Sequence, residues 1–286
     1  MNNTNIIIFS KNRTLQLKSL LKSIHHYSDI HENEITILYK TDPGINYEPL
    51  ISEFKCNFVK QKNDFVEDLN NIIRFSHKEY VMLLVDDLIF KDTFSLREIE
   101  SFLNNNTDVD CFSTRLGTNI SGGNMPDFEF YDDKILIWQT NPMLGNIWNF
   151  FWELSSSIYR KPLVLRYLKK CDRSKVTYPN PLETYYYSQI PNYLRSKKLL
   201  NRIFISLKFI LSDKTNRMAC FKKSKSFTHG LNLVADRGII NTDSQSPLKL
   251  HEKMEDGYII DYYSIFRVDN EWPNTGTKYF QLIQEQ

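Results

Sequence analysis

The segment YVMLLVDDLIF, residues 80–90, is the most informative part of the sequence for predicting the fold. Its first six residues form an unbroken apolar run, which is typical of a strand buried on both faces in the middle of a parallel sheet. Two adjacent carboxylates, Asp86 and Asp87, follow the run, and ionised groups inside such a strand would be costly without a compensating partner. We therefore expect both aspartates at the C-terminal edge of the sheet, where α/β proteins open a ligand crevice.

The flanking sequence alternates between strand and helix patterns. Strands are predicted at residues 5–9, 35–39, 57–60 and 109–115, and helices at 15–24, 49–54, 64–75 and 95–104. This alternation predicts βαβ units with a mostly parallel sheet flanked by helices. We divide the predicted domain into residues 1–115, an irregular half at 116–240, and a helical C-terminal extension at 241–286, where Ser246, Pro247 and Gly257 bound a helix.

Composition excludes several classes of protein. The 286 residues are 41% apolar and 24% charged, and the net charge of +2 gives no case for a nucleic-acid partner. The four cysteines have no paired metal spacing, which indicates reduced thiols. There is no signal-peptide pattern at the start and no apolar run of about 18 residues. We expect a cytoplasmic protein, with peripheral contact to the inner face of the membrane left open.

Two motifs carry a resemblance to a known family. The segments IIIFSKNR (residues 6–13) and VDDL (residues 85–88) resemble, in order and separation, the GT-A fold glycosyltransferases of the nucleotide-diphospho-sugar transferase superfamily, and within it the bacterial family 2-like enzymes. The resemblance covers residues 1 to about 115. It implies a GT-A (Rossmann-like) α/β fold and a nucleotide-sugar donor pocket over the C-terminal edge of the sheet.

The resemblance also assigns donor-site residues. It implies that Ser10, Asn12 and Arg13 touch the nucleotide and that Asp42, after the second strand, holds the base or ribose. Lys62, after the third strand, is expected to face the diphosphate.

The aspartate pair implies a divalent cation. Mn²⁺ or Mg²⁺ prefers oxygen ligands and neutralises charge on a leaving diphosphate. We assign the metal to Asp87 and the ribose, or support of the metal ligands, to Asp86. The family pattern is Asp-x-Asp, whereas this chain has Asp-Asp. The simplest alternative is that the pair caps a turn.

An inverting transferase needs a carboxylate that accepts the proton of the acceptor hydroxyl. The resemblance implies a base at a helix N-terminus in the second half, and Glu183 after PNPL (residues 179–182) fits, with Glu153 as the second candidate. An acidic residue is also common in a first helical turn for reasons of charge alone. His229 is the candidate third metal ligand, with a structural histidine as the alternative.

Two further segments suggest surfaces for the acceptor. Trp138, Trp148, Phe151 and Trp152 form either a wall that stacks on sugars or part of the core. Residues 193–225 contain ten Lys or Arg and one Asp, with apolar residues at helical spacing. Such a helix suits an anionic membrane surface, an anionic acceptor, or simply a solvated face.

The predicted function is transfer of a sugar from a nucleotide-diphospho-sugar to a glycan or lipid-linked acceptor, in bacterial surface polysaccharide synthesis, with metal dependence and inversion favoured. Two alternatives stay open. One is a catalytically inactive GT-A-like protein that binds carbohydrate or a partner. The other is a sugar-phosphate nucleotidyltransferase, which the lack of glycine in SKNR (residues 10–13) disfavours.

Overall fold

A computed structural model describes residues 2–141, 146–188, 216–231 and 245–285. Its strands are β1 (Thr4–Lys11), β2 (Ile35–Lys40), β3 (Asn57–Lys60), β4 (Tyr80–Val85), β5 (Leu88–Phe90), β6 (Val109–Ser113), β7 (Glu129–Phe130), β8 (Ile135–Gln139), β9 (Ser157–Arg160), β10 (Arg217–Phe221), β11 (Ser226–Thr228), β12 (Tyr258–Ile260) and β13 (Leu282–Gln284). Its α-helices are α1 (Thr14–Tyr27), α2 (Glu48–Glu53), α3 (Phe65–Phe75), α4 (Leu96–Asn105), α5 (Lys161–Lys170), α6 (Pro179–Ser188) and α7 (Pro247–Glu255).

The main sheet is mixed and mostly parallel. Within the described residues it has nine strands in the order β3-β2-β1-β4-β9-β6-β10-β8-β7. Strands β3, β2, β1 and β4 are parallel neighbours, while β9 and β8 run against all the others. The α/β class and the mostly parallel sheet predicted from the sequence are therefore confirmed.

Strand β4 is buried on both faces, as its composition predicts. Met82 and Leu84 pack into the core on one side of the sheet, and Val81 and Leu83 into the core on the other. Helices α1, α4 and α7 cover the first side, and α3 and α5 cover the second. Each helix buries an apolar stripe, which is why the periodicity located most of them correctly.

The helix caps follow the sequence at three places. The side chains of Asp64, Ser95 and Ser246 each accept a hydrogen bond from the backbone three residues ahead. These bonds satisfy N–H groups that the first turn of a helix leaves unpaired. Helix α1 differs, because Arg13 precedes it without capping through its side chain. Arg13 instead turns its guanidinium towards the aspartate pair.

The later part of the chain joins the same sheet. Strand β10 inserts between β6 and β8, and β9 inserts between β4 and β6. Strand β11 pairs with β5 as a short antiparallel ribbon next to Asp87, and α7 packs on α1. The basic segment predicted at 193–225 lies outside the described residues as far as residue 215. No helix among the described residues has the length and apolar character needed to cross a bilayer.

Candidate active site

A cavity of about 490 Å³ opens at the C-terminal edge of the sheet. It is lined by residues at or just after the ends of β1, β2, β3, β4 and β6 and by residues at the start of α6. Parallel strands that end at one edge bring their following residues together, which explains why distant segments meet here. Of the predicted site residues, Ser10, Arg13, Asp86, Asp87 and Glu183 line this cavity.

The aspartate pair occupies the turn between β4 and β5. Phe9 of β1 lies opposite Val85 of β4, so the residues after the two strands are neighbours. The backbone N–H of Asp86 donates to the carbonyl of Phe9 across 3.1 Å, and the N–H of Lys11 donates to Oδ2 of Asp86 across 3.1 Å. The parallel pairing of β1 with β4 thus fixes the carboxylate of Asp86.

Arg13 bridges the two carboxylates. Its Nη1 atom lies 3.0 Å from Oδ1 of Asp86 and 2.8 Å from Oδ2 of Asp87. Burial alone would lower the pKa of Arg13, but the charges of Asp87 and Asp86 more than offset this effect and raise it. Burial raises the pKa of Asp86 to about 6, in spite of Arg13. The guanidinium is the cation that compensates this buried pair.

Ser10 and Asn12 are held by partners across the loop. The hydroxyls of Ser10 and Tyr47 lie 2.7 Å apart. Nδ2 of Asn12 donates to Oδ2 of Asp42 across 2.6 Å, and the N–H of Asp42 donates to Oδ1 of Asn12 across 2.8 Å. Asn12 has a φ of 58°, in the left-handed region that asparagine tolerates better than most residues. The reciprocal pair supports the bend between β1 and α1.

Three residues predicted to contact the donor do not line the cavity, namely Asn12, Asp42 and Lys62. Asp42 is exposed and bonded to Asn12, and neither residue lines the cavity. Lys62 is also exposed, and its N–H donates to Oδ2 of Asp68 across 2.9 Å. Because Asp68 draws the loop after β3 towards α3, it is Gln61, one residue earlier, that lines the cavity.

Glu183 lies on the wall formed by α6. Its Oε1 atom accepts a hydrogen bond of 2.6 Å from the N–H of Leu154. Burial raises the pKa of Glu183 to about 7, opposed by that N–H and by Arg115 and assisted by the charges of Glu153 and Asp87. A carboxylate with a pKa near neutrality is suited to exchange a proton at physiological pH.

Glu153 lies behind this wall and is fully engaged. Its Oε1 atom accepts from the hydroxyls of Ser157 at 2.5 Å and Ser113 at 3.2 Å. Its Oε2 atom forms an ion pair with Arg115. The side chain is 4% exposed and does not line the cavity. In this arrangement Glu153 holds Arg115 and does not reach the cavity where a base would act.

The aromatic cluster is core and not a sugar-stacking wall. Trp138, Trp148, Phe151 and Trp152 are at most 2% exposed. The indole N–H of Trp152 donates to the carbonyl of Leu182 across 3.2 Å, directly before Glu183. The cluster thus supports α6 from the core side. The partly exposed aromatic residues that line the cavity are Phe150 and Tyr178.

His229 does not join the aspartates as a third metal ligand. The backbone N–H of His229 donates to the carbonyl of Asp87 across 2.8 Å. Its imidazole ring packs against the ring of Phe227, with centroids 5.1 Å apart. Both ring nitrogens are buried and have no hydrogen-bond partner among the described residues, and burial lowers the pKa of His229 to about 4. Its ring is therefore neutral at physiological pH and is a component of the apolar core.

The donor set does not fit a divalent cation in this arrangement. Both oxygens of Asp86 are engaged by Arg13 and by the N–H of Lys11, and Oδ2 of Asp87 is engaged by Arg13. Within residues 2–141, 146–188, 216–231 and 245–285, no three His, Cys, Asp or Glu side chains come together as a metal site. Arg13 takes the place between the carboxylates where a bridging cation would bind.

Sequence reasoning missed several residues that line the cavity. Lys11 and Lys40 are the last residues of β1 and β2, Gln61 follows β3, and Arg115 lies just after β6. A signal was available, because polar residues that directly follow parallel strands collect at one edge. With Arg13, the described lining includes four cationic residues, against three acidic ones, namely Asp86, Asp87 and Glu183.

The chain is similar in sequence to one curated glycosyltransferase. It is 30% identical over 185 residues to the bifunctional glycosyltransferase pgtA of Dictyostelium discoideum, covering 56% of this chain and 24% of that protein. The chain thus spans about a quarter of the length of this relative. No protein-family model matches the chain. The match to a glycosyltransferase supports the class that the first strand and the aspartate pair indicated.

Several solved structures align with much of the chain. S. aureus TarS aligns with a TM-score of 0.47 and 14% identity, over 80% of this chain and 36% of TarS. A shorter TarS structure in complex with UDP aligns with a TM-score of 0.47 and 13% identity, over 80% of this chain and 60% of that one. The mannosyltransferase PcManGT from Pyrobaculum calidifontis, in complex with GDP-Man and Mn²⁺, aligns with a TM-score of 0.40 and 11% identity, over 65% of this chain and 52% of that one.

Proposed function

We propose that this chain transfers a sugar from a nucleotide-diphospho-sugar to a glycan or lipid-linked acceptor. One observation carries the proposal. Glu183, with a pKa of about 7, lines the same cavity as four cationic side chains and the Asp86–Asp87 turn. A base and a cationic diphosphate site in one cavity are what displacement at an anomeric carbon requires. The similarity to a glycosyltransferase adds independent support.

The residues divide the reaction between two walls. Arg13, Lys11 and Lys40 line the side formed by the strand ends and are placed to hold the diphosphate. Glu183, on the α6 side, accepts the proton of the acceptor hydroxyl while the oxygen of that hydroxyl bonds to the anomeric carbon. The bond from that carbon to the diphosphate oxygen breaks, and the nucleoside diphosphate leaves with the electron pair. Attack from the opposite side inverts the anomeric configuration.

The acceptor and the cellular setting belong to the proposal as well. Phe150 and Tyr178 line the cavity beside the start of α6 and offer faces on which an acceptor sugar could stack. Synthesis of bacterial surface polysaccharide, at the inner face of the membrane, is proposed from the family resemblance alone. The basic segment 193–225, for which that membrane contact is proposed, falls for the most part outside the described residues.

Thermal-shift measurements test the donor site. The chain is screened against UDP-, GDP-, CMP- and dTDP-sugars, and we expect one nucleotide class to raise the melting temperature by mass action. Arg13→Gln is the matched variant, in which that rise should shrink. If no nucleotide changes the melting temperature, the proposal is wrong.

A turnover assay separates the proposed function from its alternatives. With the nucleotide that binds, release of nucleoside diphosphate is measured with glycan and lipid-linked acceptors and with water alone. Binding without release under every condition would favour an inactive carbohydrate-binding protein. Formation of a nucleotide-sugar from a nucleoside triphosphate and a sugar phosphate would favour a nucleotidyltransferase.

A further inference from the structure

We infer that Arg13 replaces the divalent cation at the donor site, so that the chain binds its nucleotide diphosphate without metal. This inference rests on the proposed function and names the counter-charge of the same site. One guanidinium nitrogen lies 3.0 Å from Asp86 and 2.8 Å from Asp87. A metal ion bound between these carboxylates would have to displace the guanidinium, because Mg²⁺ needs oxygens at about 2.0–2.1 Å.

The guanidinium is held in place and is not a surface side chain that has turned inward. Arg13 is 8% exposed, and the residue directly precedes helix α1, which packs in the core. The loop before it is fixed by the reciprocal bonds between Asn12 and Asp42 and by the bond from the N–H of Lys11 to Asp86. Removing Arg13 from the pair would leave the buried Asp86 without its cation.

The adjacent order of the aspartates agrees with this arrangement. Consecutive residues in the turn after β4 present Oδ1 of Asp86 and Oδ2 of Asp87 to a single nitrogen. The remaining charge for a diphosphate is available from Lys11 and Lys40, which line the same cavity. A guanidinium binds phosphate oxygens through directed hydrogen bonds and cannot lose its proton under physiological conditions.

Calorimetric binding of UDP, GDP, CDP and dTDP, each measured with EDTA and with Mn²⁺, tests the inference. For the nucleotide that binds, we expect the affinity of the unmodified chain to change less than about twofold between the two conditions. Arg13→Ala should weaken binding in EDTA by about tenfold to a hundredfold, the range for hydrogen bonds to charged groups. Mn²⁺ should restore binding to Arg13→Ala, because the two carboxylates are then accessible to a metal.

Two further variants keep the test decisive. Arg13→Lys retains the positive charge and is used in place of Arg13→Ala if that variant does not fold. In EDTA its affinity should lie between those of the unmodified chain and Arg13→Ala. Asp87→Asn in the Arg13→Ala background should abolish the rescue by Mn²⁺. If the unmodified chain binds nucleotide only with Mn²⁺, the inference is overturned and the proposed function stands. If no nucleotide binds under either condition, the proposed function itself is wrong.

Discussion

The backbone N–H of Leu154 lies 2.6 Å from Oε1 of Glu183 and donates a hydrogen bond to it. This bond ties the loop before β9 to helix α6 and directs the carboxylate to the cavity that also contains Asp86 and Asp87. The N–H favours the ionised form of Glu183, while burial disfavours it and has the larger effect. The resulting pKa near 7 allows the carboxylate to accept a proton and later release it.

Glu183→Gln should abolish sugar transfer while leaving the donor site intact. The amide keeps the size of the side chain but cannot accept a proton, so we expect a loss of kcat of roughly 10²- to 10⁴-fold. Initial rates and donor affinity measure the two effects. In the unmodified chain the rate should rise with pH and level off above about pH 7, because only ionised Glu183 acts as a base. A variant with unchanged kcat would show that Glu183 is not the base.

Glu153→Gln should reduce stability more than it affects any single step of the reaction. The substitution removes the charge that pairs with Arg115 and leaves a partly satisfied buried polar group. Breaking such a buried pair costs about 3–5 kcal/mol, which urea denaturation would measure. Glu183→Gln, at the cavity wall, is the matched control and should be close to the unmodified chain in stability. Equal stability of all three proteins would contradict the structural role of Glu153.

Two substitutions of Asn12 separate its backbone conformation from its side-chain bonds. Asn12→Ala loses the bonds to Asp42 and strains a residue with a φ of 58°, whereas Asn12→Gly loses only the bonds. We expect Asn12→Ala to be the less stable of the two by about 1 kcal/mol. Both variants should bind nucleotide more weakly, because the loop that carries Arg13 loses its support. Unchanged affinity in both would mean that the pair with Asp42 does not position this loop.

His229→Leu should change how stability depends on pH. Burial lowers the pKa of His229 from 6.5 to about 4, so the folded chain binds fewer protons than the unfolded chain between these values. The folded chain therefore loses stability through His229 as the pH falls from 6.5 towards 4, and this loss is absent above pH 6.5. His229→Leu should lose less stability over that window, by up to about 3 kcal/mol. If the free energy of unfolding depends on pH in the same way in both proteins, the imidazole is not buried in the neutral form.

The same substitution also addresses the metal prediction. At neutral pH, His229→Leu removes two ring nitrogens that have no hydrogen-bond partner in the described part of the chain, and such groups cost about 1–3 kcal/mol each when buried. We therefore expect His229→Leu to be at least as stable as the unmodified chain. The effect of Mn²⁺ on its nucleotide affinity should be the same as in the unmodified chain. His229→Ala, which leaves a cavity beside Phe227, is the control and should be less stable.

Much of the candidate site follows from local sequence. The run from Tyr80 to Val85 has the composition typical of a strand buried on both faces, and carboxylates after it belong at a sheet edge. The Ser-Lys-Asn-Arg loop after β1 follows from the same argument. The placement of single side chains does not follow from local sequence in the same way. Lys62 and Gln61 are neighbours in sequence, yet the bonds that Asp68 makes decide which of them reaches the cavity.

Local sequence was sufficient to predict the α/β class, the strands β1 to β4 and the position of Asp86 and Asp87 after a buried strand. These features depend on periodicity and on burial of a continuous apolar run, which are local properties. The tertiary arrangement was needed to show that Arg13 bridges the aspartates and that Glu183 lines the cavity. It was also needed to show that Glu153 and His229 do not line the cavity. Those outcomes depend on which segments the sheet order brings together, and contacts between residues far apart in sequence have no local signature.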